Sequence, residues 1–181
     1  MNAEFEQIVD AHYTALYRFA FSMARNEATA ADLTQQTFYL WAAKGHQLRD
    51  RSKVKSWLFT TLYREHIGTK RHETRFPHIE LNEATEELPE AAEISALEID
   101  GATARAALQQ IEEAYRAPLT LFYLQDFSYR EIAEVLSIPL GTVMSRLSRG
   151  KAELRRLLLD KQEANASKIT PFREPKTRQA P

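Results

Sequence analysis

The sequence predicts an all-α protein made of two small helical domains joined by a flexible acidic linker. Three observations point there. Apolar residues recur at three- and four-residue steps along most of the 181-residue chain. Strand signals are few: there are five glycines, little period-2 alternation, and no Asn-Gly or Asp-Gly hairpin turn. Charge is segregated, because Phe76 to Thr103 contains no Lys or Arg and gathers Glu80, Glu83, Glu86, Glu87, Glu90, Glu93, Glu98 and Asp100.

The first helix is predicted from Phe5, Ile8, Val9, His12, Tyr13, Leu16, Tyr17 and Ala20, which form one apolar stripe. A second runs from Ala30 to Ala43 with Leu33, Thr37, Leu40 and Trp41 inward, leaving Asp32, Gln35, Gln36 and Tyr39 outward. After a polar break at 45–52, a third helix buries Val54, Trp57, Leu58, Thr61 and Leu62. Its opposite face carries Ser56, Thr60, Tyr63, Arg64 and Ile67, continuing into Lys70 and Arg71. Residues 1–75 thus form the first domain, and 76–103, bracketed by Pro77 and Pro89, form the linker. Helices resume near Gly101, with Ala104, Leu108, Ile111 and Tyr115 in register. Pro118 suits the first turn of the next helix, which reaches Gln125. The second domain spans 104–160, and the polar, proline-containing 161–181 is expected to be a disordered tail.

Residues 127–156 carry the most information. Ser128 and Glu131 have capping-box spacing, so a helix starts there and buries Ile132, Ala133 and Leu136. Pro139 cannot continue that helix, so Ser137-Ile138-Pro139 is a short turn. A second helix from Leu140 turns Val143, Leu147 and Leu154 inward and Thr142, Ser145, Arg146 and Arg149 outward. Two helices and a short turn fit a DNA-reading helix-turn-helix and equally a pair of core helices with a solvated basic face.

The run from Phe127 to Leu154 resembles region 4 of the extracytoplasmic-function (ECF) sigma factors of the sigma-70 family. Asp32-Leu-Thr-Gln-Gln-Thr-Phe38 and Ser56-Trp-Leu-Phe-Thr-Thr-Leu62 resemble region 2 of the same group. The resemblance implies a factor that binds core RNA polymerase and directs promoter-specific initiation. Region 2 would melt the −10 element and hold the melted strand, while region 4 would read double-stranded promoter DNA at the −35 element. By the same resemblance Asp32, Gln35, Gln36 and Tyr39 contact core polymerase. Lys53, Lys55, Ser56, Thr60, Tyr63 and Arg64 contact −10 DNA, where cations grip phosphates and an aromatic ring can stack on an exposed base. Tyr129, Arg130, Thr142, Met144, Ser145, Arg146, Ser148 and Arg149 contact −35 DNA. Trp57 falls on the apolar stripe and is assigned to the core.

Several residues depart from the family pattern. Gln36 stands where an acid is usual, Ala30 and Ala31 precede Asp32, Arg64 replaces an Asn, and Met144 replaces a Lys or Arg. A thioether can touch a thymine methyl and cannot bind guanine bidentately. The weakly acidic helix face, with Thr29 and Thr34 on it, suggests control by a Ser/Thr kinase, since a phosphate would add about −1.5 to −2 charge. Regulation by an ordinary anti-sigma factor is the favoured reading, with such a kinase as the alternative.

Other classes are disfavoured. The sequence offers no Gly-rich phosphate loop, nucleophile elbow or HExxH motif, so no enzyme is expected. His12, His46, His66, His72 and His78 lack helical metal-ligand spacing, and cysteine is absent, so neither a metal nor a cofactor is expected. No apolar run approaches the ~20 residues of a membrane span, and the N-terminus lacks a signal-peptide pattern, so a cytoplasmic protein without membrane insertion is expected, nucleoid-associated when on polymerase. Two rival readings remain: a stand-alone helix-turn-helix regulator, and an interaction or adaptor protein without promoter activity.

Overall fold

Helix α1 (Ala3–Ala24) buries Leu16 and Ala20 of the predicted stripe together with Phe19 and Met23, whereas Tyr13, expected inward, is exposed. It ends where Arg25 takes a left-handed conformation, φ 59°, which reverses the chain. Asn26 then caps α2 (Glu27–Lys44), its side chain accepting the Thr29 N–H at 2.9 Å. The helix therefore starts three residues before the predicted Ala30. Two short 3₁₀ turns, Gly45–Gln47 and Arg51–Lys53, lead into α3 (Val54–Arg75). This computed structural model describes residues 3–75 and 101–166. The linker expectation for 76–100 and the tail expectation for 167–181 lie outside the described residues.

The second unit comprises α4 (Gly101–Gln110), α5 (Glu113–Gln125), α6 (Tyr129–Leu136) and α7 (Leu140–Ala166). Pro118 lies inside α5, not in its first turn as the sequence suggested. The break falls earlier, at Ile111 and Glu112, with Glu112 extended at the N-cap and Ile111 fully buried. Pro118 forfeits one intrahelical hydrogen bond. The helix holds because Arg116 to Leu121 are all buried, so α5 is packed on every side. α7 continues to Ala166, six residues into the stretch expected to be tail.

α1 packs on α2 and α3, α5 packs on α7, and α6 on α7. The two units also pack on each other, α1 against α5 and α3 against α6. Phe59, fully buried, joins them: its ring lies 5.4 Å from Phe19 and 5.2 Å from Phe127. Burying each such side chain contributes about 1.5–3 kcal/mol. α5 and α7 approach closely at Gly150, where an added Cβ would stand 2.9 Å from Leu119 Cδ1 and 3.1 Å from Tyr115 Cβ.

Candidate polymerase and promoter surfaces

The α2 face predicted to meet polymerase is a real surface. Asp32, Gln35, Gln36 and Tyr39 are all exposed, Tyr39 at 67%, while Leu33, Thr37, Phe38 and Trp41 are buried behind them. Thr34 does not belong to that face. It is fully buried, its hydroxyl donating to the Ala30 carbonyl at 2.8 Å, as Thr37 donates to Leu33 at 2.7 Å. A phosphate on Thr34 has no room in the folded protein, so the kinase reading at that residue is corrected. The spacing Ala30, Thr34, Thr37, Phe38, Trp41 already marked an inward stripe. Thr29 stays half-buried in the first turn of α2.

The loop before α3 is built by two side chains. Asp50 Oδ1 accepts the Ser52 N–H at 3.0 Å and its hydroxyl at 2.6 Å, and these bonds hold the carboxyl below its usual range. Arg51 stacks 5.7 Å over the Trp41 ring, donates to the Gly45 carbonyl at 3.3 Å and pairs with Glu4 at 3.1 Å. Arg51 is therefore structural, whereas Lys53 beside it is exposed. Along α3, Arg64 is exposed and Ser56 and Thr60 are half-exposed. Trp57 packs edge-on against Trp41, ring centroids 5.1 Å apart, in the expected structural role.

Lys55 and Tyr63 sit differently from the rest of the predicted −10 set. The Lys55 ammonium donates to the Gln125 carbonyl and lies 4.7 Å over the Phe127 ring, both in the second unit. Tyr63 is half-buried, and its hydroxyl is pushed up by burial, with Arg146 pulling it down and Glu113 adding to the rise. The structure thus brings a predicted −10 residue into the field of Arg146 on the predicted recognition helix.

The helix-turn-helix forms as the spacing required. Ser128 Oγ accepts the Glu131 N–H at 3.3 Å, and Glu131 Oε2 accepts the Ser128 N–H at 2.8 Å and hydroxyl at 2.6 Å. These bonds hold Glu131 below its usual carboxylate range. Ser137, left-handed at φ 53°, closes α6 and directs the chain into α7. Val143 and Leu147 are buried, and Met144, Ser145, Ser148 and Arg149 are exposed on the other side. Thr142 and Arg146 are half-exposed, and Ser145 Oγ donates to the Thr142 carbonyl at 3.0 Å. Arg130 is exposed, whereas half-buried Tyr129 rests its ring 5.3 Å from Phe122.

Five charged or titratable groups gained a place the sequence did not suggest. His66 is 3% exposed and bonds Glu113 Oε1 at 3.0 Å, and Lys70 pairs with the other oxygen of Glu113. Burial pushes the Glu113 carboxyl up, but its bonds to Lys70 and His66, with their charges, leave it lowered overall. Arg116 is buried, and desolvation, with Arg25 nearby, depresses it to about 10 despite Glu113. It donates to the Gln109 carbonyl at 3.1 Å, while Arg25 donates to the Ile111 carbonyl at 3.4 Å, so two arginines satisfy the C-terminal end of α4. Among the described residues no cluster of His, Asp or Glu could hold a metal ion, and no helix is long and apolar enough to cross a membrane.

The sigma-70 region 2 model matches residues 8–76, and the sigma-70 region 4 model matches residues 102–154. The chain is 30% identical over 154 residues to the ECF RNA polymerase sigma factor SigE of Mycolicibacterium smegmatis, covering 83% of this chain and 60% of that protein. It is 28% identical over 172 residues to the ECF RNA polymerase sigma factor SigW of Bacillus subtilis, covering 86% of this chain and 89% of the relative. Among solved structures it resembles the sigma factor RpoE from Bartonella quintana, crystallised with the anti-sigma factor NepR. The TM-score is 0.72 and the identity 28%, over 87% of this chain and 98% of the other. Both regions are present, in order, on a fold whose helices carry the matching surfaces. The chain belongs to the sigma-70 family of RNA polymerase sigma factors, in its extracytoplasmic-function group.

Proposed function

We propose that this protein binds core RNA polymerase through Asp32, Gln35, Gln36 and Tyr39 and directs initiation at a dedicated set of promoters. Region 2 supplies Lys53, Lys55, Ser56, Thr60, Tyr63 and Arg64 to the melted −10 strand. Region 4 lays the first turns of α7 in the major groove at −35, with Met144, Ser145, Ser148 and Arg149 towards the DNA and Arg130 towards a phosphate. Tyr129 contributes its ring to the fold and at most its hydroxyl to the DNA. The protein works as a non-catalytic cytoplasmic factor, its units bounded at 1–75 and 104–160.

The observation that carries this reading is the exposed polar face of α2. A stand-alone helix-turn-helix regulator has no use for it, and an adaptor has no use for the recognition helix. With Thr34 buried, an anti-sigma factor is the favoured regulator, as the Bartonella relative's complex illustrates. The test is co-purification with core polymerase in the absence of DNA. A stoichiometric complex, lost in an Asp32→Ala, Tyr39→Ala double variant that remains folded, is the expected result. Full retention by that variant would remove α2 from the interface.

A further inference from the structure

The outward side of the first turns of α7 has few side chains able to read a base. Thr142 and Arg146 are half-exposed, Arg149 is a cation suited to phosphate, and Ser145 spends its hydroxyl proton on the Thr142 carbonyl at 3.0 Å. Met144, 53% exposed, is the one long uncharged side chain among the α7 residues proposed to meet −35 DNA. The chain has three methionines and no cysteine. Met23 is 2% exposed, packed in the α1 core, so its sulfur is shielded. Among the described residues Met144 therefore holds the sulfur that solvent reaches. Leu140, 41% exposed, and exposed Ser148 lie one turn to either side of it on the same stripe. An apolar side chain thus flanks Met144 on one side and a hydroxyl on the other.

We propose that Met144 is a reversible oxidation site that sets which base the recognition helix prefers. The inference rests on the sigma-factor reading and goes beyond it. The oxidant is a peroxide. The sulfur lone pair of Met144 attacks one peroxide oxygen, an S–O bond forms and the O–O bond breaks. Sulfur gives up two electrons, the departing hydroxide takes the proton left on the transferred oxygen, and the products are a sulfoxide and water. A dithiol-driven methionine sulfoxide reductase reverses the step, releasing the oxygen as water. The two states read DNA differently. The thioether is apolar and packs against the C5-methyl of thymine in the major groove. The sulfoxide oxygen is a strong acceptor that loses its water against a methyl group, and it is satisfied instead by the amino group of cytosine or adenine. The Ser148 hydroxyl, one turn on, is placed to donate to that oxygen, so the oxidised side chain has a local partner as well.

Brief treatment of the full chain with hydrogen peroxide, followed by peptide mapping, should place one added oxygen on Met144 while Met23 stays reduced. Anisotropy titrations then use duplexes of the DNA upstream of its own coding sequence. Each thymine of the −35 segment is replaced in turn by deoxyuridine, which removes the methyl and nothing else. For the untreated protein one such replacement should weaken binding about fourfold, the value of burying one methyl-sized group. Oxidation should erase that difference, and treatment with a sulfoxide reductase should restore it. Met144→Leu should keep the thymine preference and ignore peroxide, whereas Met144→Gln should lack the preference from the start. Three results would overturn the proposal: Met23 oxidised as fast as Met144, no deoxyuridine effect in the untreated protein, or the same effect before and after oxidation. A −35 segment that binds no better than its scrambled version before any peroxide is added is a separate outcome, which would sink the promoter reading and the proposal with it.

Discussion

Three glycines in helices test the packing of α5 against α7 by a single chemical change. Gly→Ala in a helix interior gains about 0.8–1.0 kcal/mol of helix propensity when nothing opposes it. Gly68 in α3 is exposed and a Cβ there meets nothing within 4 Å; the same holds for Gly141 in the first turn of α7. Gly68→Ala should therefore stabilise by about 1 kcal/mol, raising Tm by roughly 2–4 °C for a chain of this size. Gly150 is buried, and its added Cβ would press on Leu119 Cδ1 at 2.9 Å and on Tyr115 Cβ at 3.1 Å. Leu119 is itself 1% exposed, and a Tyr Cβ moves only with its backbone, so neither neighbour yields cheaply. Overpacking of this kind costs about 1–3 kcal/mol, which outweighs the propensity gain and leaves Gly150→Ala destabilised by up to about 2 kcal/mol. Urea unfolding followed by circular dichroism gives both signs, provided the m-values agree. A Gly150→Ala variant stabilised as much as Gly68→Ala would refute the close approach of α5 and α7.

Further expectations concern charge and recognition. Glu113 is lowered in the folded state, so its contribution is present above the ordinary Glu pKa of about 4.3 and is lost as pH falls through the lower folded value. The Tm deficit of Glu113→Gln relative to the parent should accordingly be full at pH 7 and shrink below about pH 4; a deficit that grows in acid would reverse the sign assigned here. Arg149→Ala should weaken −35 DNA binding similarly across sequences and flatten the salt slope by about 1 unit, while Met144→Ala should change which −35 sequences are preferred; anisotropy titrations at several salt concentrations read both. Gln36→Glu should tighten core polymerase binding by up to about fivefold, measured by competition with the parent protein.

Local structure was legible in the sequence wherever one residue type has one job. The Ser128–Glu131 capping box, the Pro139 turn and the inward Val143 and Leu147 are dictated by hydrogen-bond valence and by 3.6-residue periodicity, and they appear as read. The polar α2 face was legible for the same reason. What failed were readings where tertiary packing overrides local preference. Pro118 sits inside α5 because burial on every side compensates a lost hydrogen bond. Thr34, polar by composition, satisfies its hydroxyl on its own helix and goes inside. Asn26 was a legible N-cap that the apolar pattern alone placed too late. The seam was hidden for a deeper reason. Lys55 and His66 flank Phe59 on a stripe of α3 that reaches from the region 2 core to the second unit, and one chain carries no sign that a partner for that stripe lies more than forty residues on. The family resemblance named candidate promoter surfaces and could not show that residues of the two units meet across this seam.

The most direct test of the account is run-off transcription with purified core polymerase, this protein, and a template carrying the DNA upstream of its own coding sequence. A discrete transcript that requires the protein, starts at one site and is lost when the −35 or the −10 segment is scrambled is the predicted result. A stoichiometric polymerase complex that yields no protein-dependent start on any upstream template would contradict it.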